Sequence, residues 1–142
     1  MSKKEWSNKE VALAHNYDKV EKSTQFVELI TFINEKYKDS DKKLKILDIG
    51  CGNGRACLSL IEAYKDKFDY IGTDINKECI RVAQEFFDKA DKRGNTASFC
   101  IVDADELPWP QQLSENHFDI CIFDSTINMV EDPKKVLESA IN

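Results

Sequence analysis

The sequence predicts an α/β fold built on an open, mostly parallel sheet with helices packed on both faces. Three observations lead there. Short runs of branched apolar residues alternate with stretches whose apolar residues recur at helical spacing, the pattern of strand–helix–strand crossovers. The first apolar run ends in a glycine cluster, Gly50 to Gly54, that opens a helix. The next two end on aspartates, Asp74 and Asp103.

Taken in order, Ser7 followed by Glu10 has capping-box spacing and predicts a short first helix. From Ser23 onward, Phe26, Ile30, Ile33 and Tyr37 share one face of a second helix, which the polar run Lys38 to Lys43 ends. Leu44 to Ile49 is short, apolar and stopped by Gly50, so it reads as a strand buried on both faces. A helix from about Gly54 to Lys65 follows, carrying Leu58, Leu60 and Ile61. Phe68 to Thr73 is the second strand, closing at Asp74.

Asn76 caps the next helix, whose Ile80, Ala83, Phe87 and Ala90 line one side, and Gly94 is placed to close it. Ala97 to Val102 makes the third strand. Prolines in Leu107 to Pro110 hold the segment from Asp103 to His117 as a loop. Phe118 to Phe123 is the fourth strand, and Asp132 before Pro133 starts a last helix.

At 142 residues the chain suits one domain. A net charge of −6 with scattered lysines offers no continuous basic surface, which disfavours nucleic acid as a partner. The start lacks an apolar secretory core and no run is long enough to span a membrane, so a cytoplasmic location is expected. Cys51, Cys57, Cys79, Cys100 and Cys121 are widely spaced without a CxxC pair and are expected to be reduced packing residues; no metal is expected.

In parallel sheets ligands sit beyond the strands' carboxyl ends. The segment Asp48-Ile-Gly50-Cys51-Gly52-Asn-Gly54 lies at the first such end, and its glycines let a ligand approach bare backbone. Asp74 lies 20 positions past Gly54, where a carboxylate can accept both hydroxyl protons of a ribose. Asp103 could accept from an adenine's exocyclic amine while Ala104 offers its amide. Structural alternatives are a tight turn for the glycines, a helix cap for Asp74 and a turn-forming aspartate for Asp103. Together the three describe a nucleoside with a cationic tail, because Asp48 suits an amine better than a pyrophosphate. The dinucleotide pattern GxGxxG also wants glycine at position 55, which is Arg55.

At these residues the sequence resembles the class I S-adenosylmethionine-dependent methyltransferases, especially the group that includes quinone and other small-molecule methyltransferases. Lys45 to Gly54 is similar to that family's first motif and Tyr70 to Ile75 to its second. Val102 to Trp109 is similar to its adenine-side segment, and Phe118 to Pro133 to its fourth strand and following helix start. The resemblance implies a Rossmann-like core over residues 44–142 with strand order 3-2-1-4, preceded by N-terminal helices over 1–43. It implies S-adenosyl-L-methionine as cofactor and S-adenosyl-L-homocysteine as product. Asp48 with Gly50, Cys51, Gly52 and Gly54 would hold the methionine portion. Asp74 would hold the ribose and Asp103 with Ala104 the adenine, with Ile75 stacked on the base. Asn16-Tyr17-Asp18 resembles the family's lid, which makes Tyr17 a candidate contact.

The family's sheet has seven strands and this sequence stops after four, so the chain is expected to be a fragment or to have its fourth strand's apolar edge covered by another copy or chain. The D/N-P-P-Y/F motif of amino-directed nucleic-acid enzymes is absent at Asp124 to Ile127, and Asn128 and Met129 stand where small-molecule relatives often carry paired histidines. His15 and His117 adjoin no partner acid at a useful spacing, so no catalytic residue is assigned. A small-molecule methyl acceptor is the leading expectation. The rival readings are a non-catalytic cofactor-binding module and a dinucleotide-binding protein.

Overall fold

In the computed structural model, residues 24–114, 117–123, 134–135 and 138 are described. The elements are α1 (Thr24–Tyr37), β1 (Leu44–Ile49), α2 (Arg55–Ala63), β2 (Phe68–Asp74), α3 (Lys77–Lys89), β3 (Thr96–Ile101), the four-residue α4 (Gln111–Ser114) and β4 (Ile120–Ile122). The strands form one parallel sheet in the order β3-β2-β1-β4, the order the sequence resemblance implied.

Burial follows the strand positions. In β1, a central strand, only Lys45 is exposed, whereas edge strand β3 leaves Thr96, Ser98 and Ile101 to solvent. One face of the sheet carries Leu44, Ile46, Phe68, Tyr70 and Ile120, and it packs against Ile33 of α1, Cys57, Leu60 and Ile61 of α2, and Phe87 of α3. Leu44, Ile46, Leu60 and Phe68 are fully buried, each contributing about 1.5–3 kcal/mol of apolar transfer free energy. The opposite face presents Leu47, Ile49 and Val102 to Trp109 and to Leu113 of α4.

That second face explains the proline loop. Trp109 is buried, and its indole Nε1 donates to the carbonyl of Ala104 at 3.0 Å, so burying the ring strands no donor. The carbonyl of Pro110 accepts from Leu113 and Ser114, and α4 starts directly after it, where a proline's missing donor costs nothing. A short helix therefore sits inside the segment expected to be all loop.

Expected boundaries shift: α2 spans Arg55–Ala63 where Gly54 to Lys65 was expected, β3 spans Thr96–Ile101 where Ala97 to Val102 was expected, and two larger differences lie at β4 and at the close of α3. β4 is three residues long, shorter than the expected Phe118 to Phe123, and just before it Asp119 forms a clip: its amide donates to the carbonyl of Lys45, its Oδ2 accepts from the amide of Lys45, and its Oδ1 pairs with Lys42 Nζ at 2.5 Å. Gly94 does not close α3. That helix ends at Ala90, in extended backbone, and Gly94 (φ +82) follows Arg93 (φ +50) in a separate turn leading into β3. A Cβ on Gly94 would fall 1.5 Å from Asp66 Oδ1, so contact with a distant turn, not helix closure, demands glycine there.

The helix expected from Ser7, the lid residues Asn16 to Asp18, and the stretch from Asp124 to Pro133 lie outside the described residues. Lys134, Lys135 and Glu138 are helical and exposed. No described helix is long and apolar enough to cross a membrane.

Candidate cofactor-binding site

The four described strands run parallel, so their carboxyl ends share one edge of the sheet. At the end of β1 the chain turns into α2 within five residues. Gly50, Gly52 and Gly54 have φ of +80°, +57° and +83°, values at which a Cβ would crowd the backbone. The amides of Gly50 and Cys51 both donate to the carbonyl of Thr73 at 2.8 Å, lacing the turn to β2. Gly54 has a second duty. A Cβ there would lie 3.2 Å from Ala83 Cβ of α3 and 3.4 Å from Phe99, so its bareness lets two helices approach.

Asp74, at the end of β2, is buried. Its Oδ2 accepts from the amide of Gly52 at 2.9 Å and its Oδ1 from the amide of Asn76 at 2.8 Å. A hydroxyl pair arriving at this edge would meet a carboxylate whose plane two backbone amides already set. Asp74 is not the helix cap. That role falls to Asn76, whose side chain accepts from the amides of Glu78 and Cys79 at 3.0 and 3.1 Å, as the sequence predicted. Ile75, between them, is half-buried.

Asp48 is buried beneath the glycine turn, and its Oδ2 accepts the hydroxyl of Tyr70 in a short hydrogen bond. Sequence reasoning named Asp48 but missed Tyr70. The available signal was its position two residues before Gly72, which faces Asp48 across the register and brings no side chain of its own.

Val102 donates its amide to the carbonyl of Asp74 at 3.0 Å, which sets Asp103 beside the β2 end. Asp103 Oδ1 accepts from the amide of Asp105 at 3.0 Å, and its carbonyl accepts from Glu106, so Asp103 does shape a turn. Ala104 is pinned from the other side by Trp109. The glycine turn and Asp103 stand two strand spacings apart, roughly 10 Å, a span that a nucleoside with a short tail can cover.

The edge is electrically negative. Burial pushes the Cys51 thiol well up from its ordinary pKa, and the nearby carboxylates of Asp48 and Asp74 push it further. Cys79 is driven up to about 12 by burial, with Asp74 and Glu78 adding to it. Such a field favours a cation and opposes a pyrophosphate. It also keeps these thiols protonated, and all five cysteines are free, three of them buried, in keeping with packing residues. His117 is exposed. His15 and Tyr17 are outside the described residues.

The methyltransferase domain family matches residues 40–142. Human (Homo sapiens) arsenite methyltransferase is 33% identical over 99 residues, covering 67% of this chain and 26% of that protein. Among solved structures, the plantazolicin methyltransferase BamL, in complex with a triazolic desmethylPZN analog and SAH, superposes with a TM-score of 0.70 at 22% identity, covering 94% of this chain and 47% of BamL. A SAM-dependent methyltransferase from Methanosarcina mazei superposes with a TM-score of 0.56 at 26% identity, covering 75% and 51%. The chain thus spans about a quarter of the human relative and about half of the two structural ones. With the sheet order, the glycine turn and the family match in agreement, the chain belongs to the methyltransferase domain family and carries the class I, S-adenosylmethionine-dependent fold.

Proposed function

We propose that the chain binds S-adenosylmethionine along the carboxyl edge of its sheet and supports methyl transfer to a small-molecule acceptor. The observation that carries this reading is the bond from the Gly52 amide to Asp74, which joins the bare-backbone turn to the strand-end acid. A negative edge about one nucleoside long suits an adenosyl sulfonium with a protonated amine. When bound, the cofactor supplies a methyl group already activated for displacement by its positive sulfur.

The protein's own work is then mostly placement. Asp48 and the turn from Gly50 to Gly54 receive the methionine portion, Asp74 the ribose hydroxyls, and Asp103 with the Ala104 amide the adenine, with Ile75 against the base. Holding two reactants in line accounts for up to roughly 7–11 kcal/mol in well-oriented systems, so the reaction does not require a dedicated base. The acceptor is a small molecule; BamL, with its bound desmethylPZN analog, supports that class.

Calorimetry tests the reading directly. S-adenosylhomocysteine should bind the chain with one-to-one stoichiometry while NADH does not. Binding of NADH without S-adenosylhomocysteine would overturn the proposal, and binding without methyl transfer to any acceptor would leave a cofactor-binding module in place of an enzyme.

A further inference from the structure

Tyr70 is a buried tyrosine with no part in the placement described above. Its ring sits among aromatic neighbours, 5.9 Å from Phe99 at a tilt and 6.5 Å from Phe68 edge-on. Its hydroxyl nevertheless finds a carboxylate, Asp48 Oδ2, 22 residues earlier in the chain. The register shows how. Tyr70 is paired with Ile46 and Asp48 with Gly72, so Tyr70 and Asp48 are diagonal neighbours on one face of a parallel pair.

The place opposite Asp48 is empty by necessity. A Cβ on Gly72 would come within 2.9 Å of Cys51 Sγ, 2.9 Å of Phe99 and 3.0 Å of the Tyr70 ring. Glycine at 72 therefore lets the phenol lean along the strand and reach the acid under the turn. A phenylalanine would fill the same aromatic pocket equally well, so packing does not explain the hydroxyl.

We infer that Tyr70 is a positioning residue: its hydroxyl holds the Asp48 carboxylate in the orientation that receives the amine of the cofactor's methionine portion. The inference rests on the cofactor reading above. The phenol is suited to the task because it stays a donor. Burial first, and then the charge of Asp48, push its pKa well above the ordinary value, so it keeps its proton at working pH. A carboxylate fixed in advance loses less freedom when its cationic partner arrives, the usual gain from preorganisation.

The test compares two ligands that share an adenosine but differ in the tail, S-adenosylhomocysteine with its amino acid and 5′-methylthioadenosine without it. Calorimetry on Tyr70→Phe should show S-adenosylhomocysteine weakened roughly fivefold to thirtyfold, with 5′-methylthioadenosine unchanged. A general structural loss would weaken both alike, and that result overturns the proposal, as does equal binding by variant and wild type. In the Asp48→Asn background the Tyr70→Phe change should add nothing further; an undiminished second loss would show that Tyr70 acts by another route. Should Tyr70→Phe be too unstable to titrate, 3-fluorotyrosine at position 70 keeps ring and hydroxyl but strengthens donation. An unchanged affinity ratio between the two ligands would then overturn the proposal in the same way. If the wild type itself binds neither ligand, the cofactor reading fails first and takes this inference with it.

Discussion

The amide of Gly52 donates to Asp74 Oδ2 at 2.9 Å across a separation of 22 residues, so the turn after β1 and the end of β2 act as one unit. Asp74 also accepts from Asn76, and one buried carboxylate thereby ties the glycine turn to the start of α3.

Asp74→Ala should therefore harm both binding and folding. Affinity for S-adenosylhomocysteine should fall by about 1.5–3 kcal/mol through lost charge-assisted bonds, and the melting temperature should drop because two backbone donors lose their acceptor. Calorimetry and thermal melts measure the two effects separately. Unchanged affinity would remove the ribose assignment.

Gly54→Ala should cost stability for two separable reasons. The left-handed backbone penalises any side chain by about 1–2 kcal/mol, and the new methyl would press on Ala83 at 3.2 Å. In an Ala83→Gly background the penalty should shrink to the backbone part alone, as read from urea denaturation. A penalty that is the same in both backgrounds would rule out the helix contact.

Asn76→Ala should destabilise by about 0.5–2 kcal/mol, the ordinary cost of losing an N-cap side chain, since its oxygen serves two amides of the first turn. Asn76→Ser should recover most of that loss in the same urea titrations. Equal stability of the alanine variant and wild type would contradict the capping role.

The buried thiols make the fold sensitive to base. Burial, helped by the charges of Asp74 and Glu78, pushes Cys79 up from an ordinary 9.0 to about 12, and burial raises Cys51 and Cys57 as well. Below about pH 9 both states keep the proton and the contribution is whole. Between about 9 and 12 the unfolded chain loses its proton first, so stability falls as pH rises. Urea midpoints should therefore decline from about pH 8 to about pH 10.5, less steeply in Cys79→Ala. In native protein near neutral pH, thiol reagents should label Cys100 and Cys121 well before the three buried cysteines.

Much of the frame was legible because its signals are local. A run such as Leu44 to Ile49 stopped by glycine can hardly be other than a buried strand, and strands alternating with helices leave parallel pairing as the simple solution. Asn76 was readable because capping involves neighbours two and three residues on. Asp48, the glycine turn, Asp74 and Asp103 were legible as positions because parallel strands put their carboxyl ends on one edge. Gly94 was misplaced because its demand for glycine comes from Asp66, far off in sequence. The helix after Pro110 was hidden by the prolines around it; its Leu113 is held by the opposite face of the sheet.

By itself, then, the sequence determined the four described strands, the longer helices between them, their order and the residues that stand at the strand ends, since hydrophobic period and turn chemistry act over a few residues. Only the tertiary structure decided which of these touch: Gly52 on Asp74, Gly54 against Ala83, Tyr70 beneath Asp48. Each of those contacts depends on strand register and on the ångström-scale approach of packed elements, and neither quantity is carried by any short stretch of chain.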